Sequence, residues 1–264
     1  MIHAVAYSGG KDSTALLLWM IEQKREFVAV FCDTGWEHPF TMQYIEMVNQ
    51  RLLGGKLITL RSEKYDGMLN LIKIKKRVPS AKARFCTEEL KVKPMIAWIA
   101  KQDDEVTVYQ GIRAQESASR AQLPMRQWSD GYDAWIERPL LTWSLQDVFD
   151  AHRRHALSVN PLYRMGHERV GCFPCIMTNQ RQLRSLSEMS PEVWENIAAA
   201  EAAAAGRSFF PPNYIPKRFQ TGFDKKSGKS YPTAADVRAY VLNPDQMKLD
   251  DTPSSCMSIY NLCE

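Results

Sequence analysis

The opening of this chain limits its fold more than any other stretch. Ile2–Tyr7 is a short apolar run that breaks at Ser8-Gly9-Gly10-Lys11-Asp12-Ser13. Over residues 12–23 the pattern then becomes helical, with Leu16, Leu17, Met20 and Ile21 on one face. A buried strand that turns on adjacent glycines into an apolar helix is how a βαβ unit begins. The alternation continues downstream. Residues 27–32 (FVAVFC), 56–60 and 106–111 read as further strands. Pro39 opens a helix with Phe40, Tyr44, Ile45, Val48 and Leu52 at helical spacing, and residues 65–74 and 88–100 read as two more. Right-handed crossovers between such strands predict an α/β fold, a Rossmann-like parallel sheet flanked by helices.

Sheets of this kind bind ligands beyond the carboxyl ends of their strands, near a switch in strand order. Three polar clusters fall at those ends: Ser8 to Ser13, Asp33 to Gly35, and Gly111 to Glu116. The last third of the chain differs. Residues 144–155 look helical, 191–205 form an Ala/Glu-rich helix ended by Gly206, and 207–232 read as an extended basic loop rich in Gly, Pro and aromatics. A boundary near residue 156 divides a nucleotide-binding α/β domain, residues 1–155, from a Cys-containing region of helices and loop, residues 156–264.

Composition excludes more than it identifies. With 24% charged residues and a net charge of +4, the 264-residue chain is compatible with an anionic ligand without demanding nucleic acid. No apolar run approaches the roughly 20 residues of a membrane span, and residues 1–7 carry no basic signal-peptide region. The cytoplasm is the expected location and no membrane partner is expected. Six cysteines without a secretion signal point to metal ligation or redox chemistry rather than disulfides.

The glycines after the first strand let backbone N–H groups converge on an anion, and the following helix adds its positive end. Lys11 brings a full charge, Ser8 and Ser13 bring hydroxyls, and Asp12 is also suited to capping the helix. The segment departs from the P-loop of GTPases, because its glycines are adjacent and the lysine comes next. Read alone it is equally a polar turn; its setting between strand and helix makes it a phosphate loop.

These residues resemble the S-G-G-x-D-S loop of the PP-loop superfamily, the adenine nucleotide alpha hydrolase-like proteins. Asp33-Thr34-Gly35-Trp36-Glu37-His38-Pro39 is similar to the D-T-G-x-x-x-P segment of its phosphoadenylylsulfate (PAPS) reductase branch. Gly111-Ile112-Arg113-Ala114-Gln115-Glu116-Ser117 with Arg120, Arg138-Pro139-Leu140 through Trp143, Asn160-Pro161-Leu162-Tyr163, and Val170-Gly171-Cys172-Phe173-Pro174-Cys175 follow in that branch's order. The resemblance assigns Ser8, Gly9, Gly10, Lys11, Asp12 and Ser13 to phosphates, Asp33 and Thr34 to the adenosine side, and Gly111, Arg113 and Arg120 to the phosphate or sulfate end. Arginine forks at a strand end suit phosphoryl or sulfuryl oxygens, although Arg113 and Arg120 would also serve in a surface ion pair with Glu116.

Cys172 and Cys175, two residues apart on a Gly/Pro loop, fit structural zinc, a redox dithiol or an iron–sulfur cluster. Cys32, inside a strand, reads as a core thiol. The resemblance places Cys86 in the family's ligand region, where cluster-bearing reductases carry a Cys-Cys pair and this chain has one cysteine. It therefore implies a [4Fe-4S] cluster on Cys86, Cys172, Cys175 and a tail thiol, Cys263, leaving Cys256 as a persulfide or redox thiol, with Zn2+ as the rival occupant.

The activity so implied is ATP-dependent adenylylation with Mg2+, releasing pyrophosphate and coupled to sulfur transfer, as in DNA phosphorothioation and tRNA-thiolation relatives. Lys11, Asp12, Arg113 and Cys256 form the expected catalytic set, with Asp12 or Asp33 toward the magnesium. The alternatives are APS or PAPS reduction to sulfite with a thioredoxin-like reductant, and a nucleotide- or nucleic-acid-binding module without turnover. A sulfur donor, a tRNA or DNA acceptor and a homo-oligomer complete the partners left open. Basic runs at Lys73, Lys75, Lys76, Arg77, Lys82 and Arg84, and at Lys217, Arg218, Lys225, Lys226 and Lys229, read as solvated faces or as nucleic-acid contacts. His152 and His155 read as surface residues of the 144–155 helix.

Overall fold

The computed structural model describes residues 1–225 and 227–243. Cys256, Cys263 and Lys226 lie outside the described residues. Six strands form the main sheet: β1 (Ile2–Tyr7), β2 (Val28–Cys32), β3 (Ile58–Leu60), β4 (Val106–Gln110), β5 (Arg126–Ser129) and β6 (Ala134–Glu137). Their order is β3-β2-β1-β4-β6-β5, with every neighbouring pair parallel except β5 against β6. In register, Ala4 of β1 stands between Val28 and Val108. The chain runs outward from β1 through β2 to β3, and β4 then returns to the other side of β1. Strand order thus switches between β1 and β4, where a sheet of this type opens its ligand crevice.

The four strands expected from apolar runs are all present. The β5–β6 ribbon was not foreseen, because its strands are four residues long and β6 offers only the three apolar residues Ala134–Ile136. It is held by pairing at the sheet edge and by Trp128 edge-on to Trp135, ring centroids 5.6 Å apart.

Seven helices accompany these strands: α1 (Lys11–Glu22), α2 (Pro39–Leu52), α3 (Gly67–Lys75), α4 (Phe85–Thr87), α5 (Lys93–Ile99), α6 (Ala118–Ala121) and α7 (Leu145–Arg154). Alternating strand residues feed two cores. Val5, Tyr7, Phe31 and Tyr109 pack with Leu16 and Leu17 of α1, Ile45 of α2 and Val148 of α7. Ala4, Val30, Val108 and Ile136 on the opposite face pack with Met95 and Ile99 of α5. The helix expected over 88–100 is divided, with a π-helical turn at Glu88–Val92 ahead of α5. Pro94 has no N–H to give the regular ladder there. Phe40, expected on the buried face of α2, is 37% exposed, whereas Thr41, Tyr44, Ile45 and Val48 point inward.

The last third holds α8 (Pro161–Arg164), α9 (Gln180–Met189), α10 (Val193–Ala203) and α11 (Ala234–Leu242). Leu183, Ile197 and Val237 from these helices share a third core with Trp36, Leu71, Ile72 and Phe173. The stretch expected as extended loop contains a 3-10 turn, Lys217–Phe219, and a hairpin of β7 (Gly222–Asp224) and β8 (Lys229–Tyr231). Among the described residues no helix is long and apolar enough to cross a membrane.

Candidate functional site

The turn between β1 and α1 is tied from inside and outside. Ser13 Oγ donates to the Gly10 carbonyl at 3.1 Å and receives the Ser8 N–H at 3.3 Å, while Thr14 Oγ1 donates to the same carbonyl at 2.8 Å. Gly9 sits at φ +75°, and a Cβ there would come within 2.8 Å of Ile45, so glycine is required on both counts. From the distant chain, Asn160 Nδ2 donates to the Gly9 carbonyl at 3.2 Å, and the Lys11 N–H donates to Tyr163 Oη at 3.2 Å. Gly111, after β4, allows the two strand ends to meet: a Cβ on it would lie 2.8 Å from the Asp12 carbonyl oxygen.

Asp12 is fully buried between two cations and does not cap α1, whose N-cap is Gly10. Lys11 Nζ lies 2.8 Å from Asp12 Oδ2, and Arg113 Nε pairs with Oδ1. Burial alone would raise the Asp12 carboxyl; the Lys11 ammonium and the Arg113 guanidinium outweigh it and hold its pKa below the ordinary carboxylate value. Lys11 Nζ also lies 4.9 Å from the Tyr163 ring centroid. Arg120 pairs with Glu116, which receives the Arg113 N–H at 2.8 Å; this pair, expected at the surface as the bland alternative, is buried at 4% and 8% side-chain exposure. Two positive side chains are therefore fixed at the end of β4, with their own carboxylates setting their positions.

Asp33 has partners of its own. Its Oδ1 accepts the Gly35 N–H at 2.8 Å and its Oδ2 accepts from Arg61. Both Asp12 and Asp33, the carboxylates expected near magnesium, thus spend their oxygens on protein donors. Thr34 Oγ1 donates to Glu37 Oε1 at 2.6 Å, and the Met68 N–H donates to the Thr34 carbonyl at 2.9 Å.

The segment after β2 is clamped to the cysteine loop. The Phe173 N–H donates to the Trp36 carbonyl at 2.7 Å, the His38 N–H to the Gly171 carbonyl at 2.9 Å, and Trp36 Nε1 to the Pro174 carbonyl at 2.8 Å. Cys172 and Cys86 neighbour one another: burial raises both thiols, and each feels nearby sulfur. The Cys172 thiol is pushed up to about 12 and the Cys32 thiol to about 11, burial leading in each case. Burial would lower Lys91, but the neighbouring Cys172 and Glu37 lead the groups that raise its pKa overall. Arg84 Nη2 donates to Thr87 Oγ1 at 3.3 Å, and its buried Nε and Nη1 have no hydrogen-bond partner among the described residues. Among those residues no group of three His, Cys, Asp or Glu side chains is gathered as metal ligands.

One cavity at the β1–β4 switch is lined both by Ser8, Ser13 and Gly111 of the strand-end loops and by Lys91, Cys172 and Cys175. Sequence reasoning missed several of the residues that build this region. His152, expected at the surface, is 2% exposed, and its Nε2 donates to the Lys11 carbonyl at 2.9 Å. Val148, Ala151 and His152 share the buried side of α7, a spacing that could have shown it. His155 does stay outside the core, 3.0 Å from Glu22. Tyr163, Asn160 and Lys91 were passed over as site residues because their partners lie far away in sequence.

Residues 2–178 match the phosphoadenosine phosphosulfate reductase domain. An uncharacterized 37.8 kDa protein of Escherichia phage 186 is 32% identical, over 100% of this chain and 97% of its own length. The adenosine 5'-phosphosulfate reductase of Allochromatium vinosum is 28% identical over 74% of this chain and 76% of its own. Among solved structures, a phosphoadenylyl-sulfate reductase from Candida auris shares the fold, with a TM-score of 0.53 and 17% identity over 65% of this chain and 81% of that one. A sheet that switches order beside a glycine-built turn, matched by a family domain over 177 of 264 residues, 2 through 178, places the chain in the PAPS reductase family of the PP-loop, adenine nucleotide alpha hydrolase-like proteins.

Proposed function

We propose that the protein is an adenine-nucleotide-dependent, sulfur-handling enzyme that binds ATP on the Ser8–Gly9–Gly10–Lys11–Asp12–Ser13 turn and activates an acceptor by adenylylation, releasing pyrophosphate, before sulfur is transferred. The observation that carries this reading is the shared cavity, which puts the strand-end loops and the cysteine loop around one space. Lys11 and Arg113, preset by Asp12, would stabilise charge on the phosphates, and Arg120 would face the same end. Asp33 and Thr34 would border the adenosine. Catalysis of this kind is positional and electrostatic and asks for no protein base.

Cys86, Cys172 and Cys175, with Cys263 from the tail, would hold a [4Fe-4S] cluster, and Cys256 would serve as a redox or persulfide thiol. The nearness of Cys86 to Cys172 supports this, as does positive charge from Lys91 and Arg84 beside thiols that burial otherwise keeps protonated. Ligation to a metal would deprotonate such thiols outright. The cluster would supply the sulfur or electron chemistry, and the protein the orientation of the nucleotide toward it. Zinc on the same thiols is the competing occupant.

Reduction of APS or PAPS is the second reading, favoured by the Allochromatium reductase among the relatives. Protein purified without oxygen separates the two. AMP and pyrophosphate from ATP in the presence of candidate acceptors, with iron and sulfide in the protein, support adenylylation. Sulfite from PAPS or APS with a thioredoxin-like reductant supports reduction. Nucleotide binding without any product, unaffected by Lys11→Ala, would leave only a binding module.

A further inference from the structure

Three buried polar groups among the residues lining the cavity have no use in the arrangement described above. Gln110, at the end of β4, is 4% exposed; His167, after α8, is 3% exposed; Thr178, after the cysteine loop, is 7% exposed. All three line the cavity that also holds Ser8 and Ser13. Gln110 Oε1, His167 Nε2 and Thr178 Oγ1 are buried and have no hydrogen-bond partner among the described residues. A buried polar atom without a partner is unfavourable, so native proteins satisfy nearly all of them. Three such atoms from three different segments, all lining one cavity, mark groups that a ligand in it would complete.

Their chemistry selects the part of the ligand. An amide oxygen only accepts, so Gln110 Oε1 calls for an N–H or O–H donor. Ionised phosphoryl and sulfuryl oxygens carry none. Burial, with His38 close by, holds the His167 imidazole below its ordinary pKa, leaving it neutral at pH 7 with one N–H and one lone pair. The Thr178 hydroxyl both donates and accepts. An uncharged set of this composition matches ribose hydroxyls and the base edge, while the cationic Lys11 and Arg113 match the phosphates.

We propose that Gln110, His167 and Thr178 form the recognition set for the nucleoside part of the bound nucleotide, a specificity element separate from the phosphate loop. This rests on the loop being the phosphate site. The test compares calorimetric affinities for ATP and for inorganic tripolyphosphate, which has the charge but no nucleoside. In the wild type ATP should bind at least about tenfold more tightly than tripolyphosphate, a comparison that needs no variant. The near-isosteric Gln110→Met and Thr178→Val should each weaken ATP roughly three- to tenfold and leave tripolyphosphate within about twofold. Lys11→Ala should weaken both probes.

Unchanged ATP affinity in Gln110→Met and Thr178→Val would mean that these groups only hydrate the cavity, and equal losses for both probes would mean that they act through the loop. Either result overturns the recognition set and leaves the phosphate loop standing. Should a variant fail to fold, equal wild-type affinities for the two probes would overturn it on their own. A wild type that binds neither probe would sink the phosphate-loop reading and this one with it.

Discussion

His152 Nε2 donates to the carbonyl oxygen of Lys11 across 2.9 Å, joining α7 to the turn between β1 and α1 over 141 residues of chain. The bond fixes the tautomer, because a carbonyl only accepts, and so Nε2 carries the proton. It also ties the lysine's backbone while leaving its ammonium to Asp12 and the Tyr163 ring. Replacing His152 with alanine removes the donor and leaves the buried Lys11 carbonyl unmet, which should cost about 1–3 kcal/mol of stability. Urea unfolding of His152→Ala checks this, and a loss below a few tenths of a kcal/mol would contradict it.

Acid should weaken the fold through the same residue. Burial is the leading cause holding His38, His152 and His167 below the ordinary imidazole value of 6.5. The unfolded chain therefore takes up protons at a higher pH than the folded one. Stability is fully present above about pH 6.5 and falls as acidification proceeds through the lower folded values. Melting temperatures from pH 7.5 to 5 should decline below 6.5, and His152→Gln should flatten part of that decline. A flat profile would show that these rings titrate normally in the folded protein.

What the residues disclosed in advance follows contact distance along the chain. The turn from Ser8 to Ser13 was legible because strand, glycines and helix adjoin one another. Asp12 was not, since one of its two cations is Arg113, 101 positions away. The pairing of the Trp36 segment with the cysteine loop was equally hidden, although both halves were recognised as motifs. Gln110, His167 and Thr178 carried no signal, because an unmet hydrogen bond exists only once a cavity has formed. The strands β5 and β6 were missed for a related reason: they pair because a sheet edge is there to receive them.

Asp12→Asn should separate the structural role of the carboxylate from phosphate binding. Lys11 and Arg113 have only 11% and 6% side-chain exposure, and the substitution removes the negative charge that both of these enclosed cations contact. The expected loss is about 3–5 kcal/mol in the free protein. Added pyrophosphate replaces the missing negative charge, so it should raise the melting temperature of Asp12→Asn more than that of the wild type. Equal shifts would show that the anion does not sit between these two cations.

Gly111→Ala tests the junction of the two strand ends. Its φ is not in the left-handed region, so only space is at stake, and the new methyl would meet Asp12 and Ser13 backbone atoms at 2.8–3.0 Å. Those atoms belong to the turn and cannot swing aside as a side-chain tip would. The strand and turn must part, which should cost about 1–3 kcal/mol and weaken tripolyphosphate binding. Binding calorimetry on the folded variant gives the answer; unchanged affinity would mean that the turn binds its anion without support from β4.

Trp36→Phe reaches the cysteine loop without touching a thiol. Trp36 is 5% exposed, and its Nε1 supplies the Pro174 carbonyl with a donor at 2.8 Å, one residue before Cys175. Phenylalanine keeps most of the apolar packing but has no N–H, so that carbonyl loses its partner at a cost of about 1–3 kcal/mol. The two backbone bonds from Phe173 to Trp36 and from His38 to Gly171 remain, so the loop should loosen at its Cys175 end first. Alkylation followed by mass spectrometry should find Cys175 modified faster in Trp36→Phe than in the wild type, with Cys32, at the end of β2, unchanged. If Cys32 accelerated equally, the substitution would have disturbed the sheet as a whole, and the indole would have no special hold on the cysteine loop.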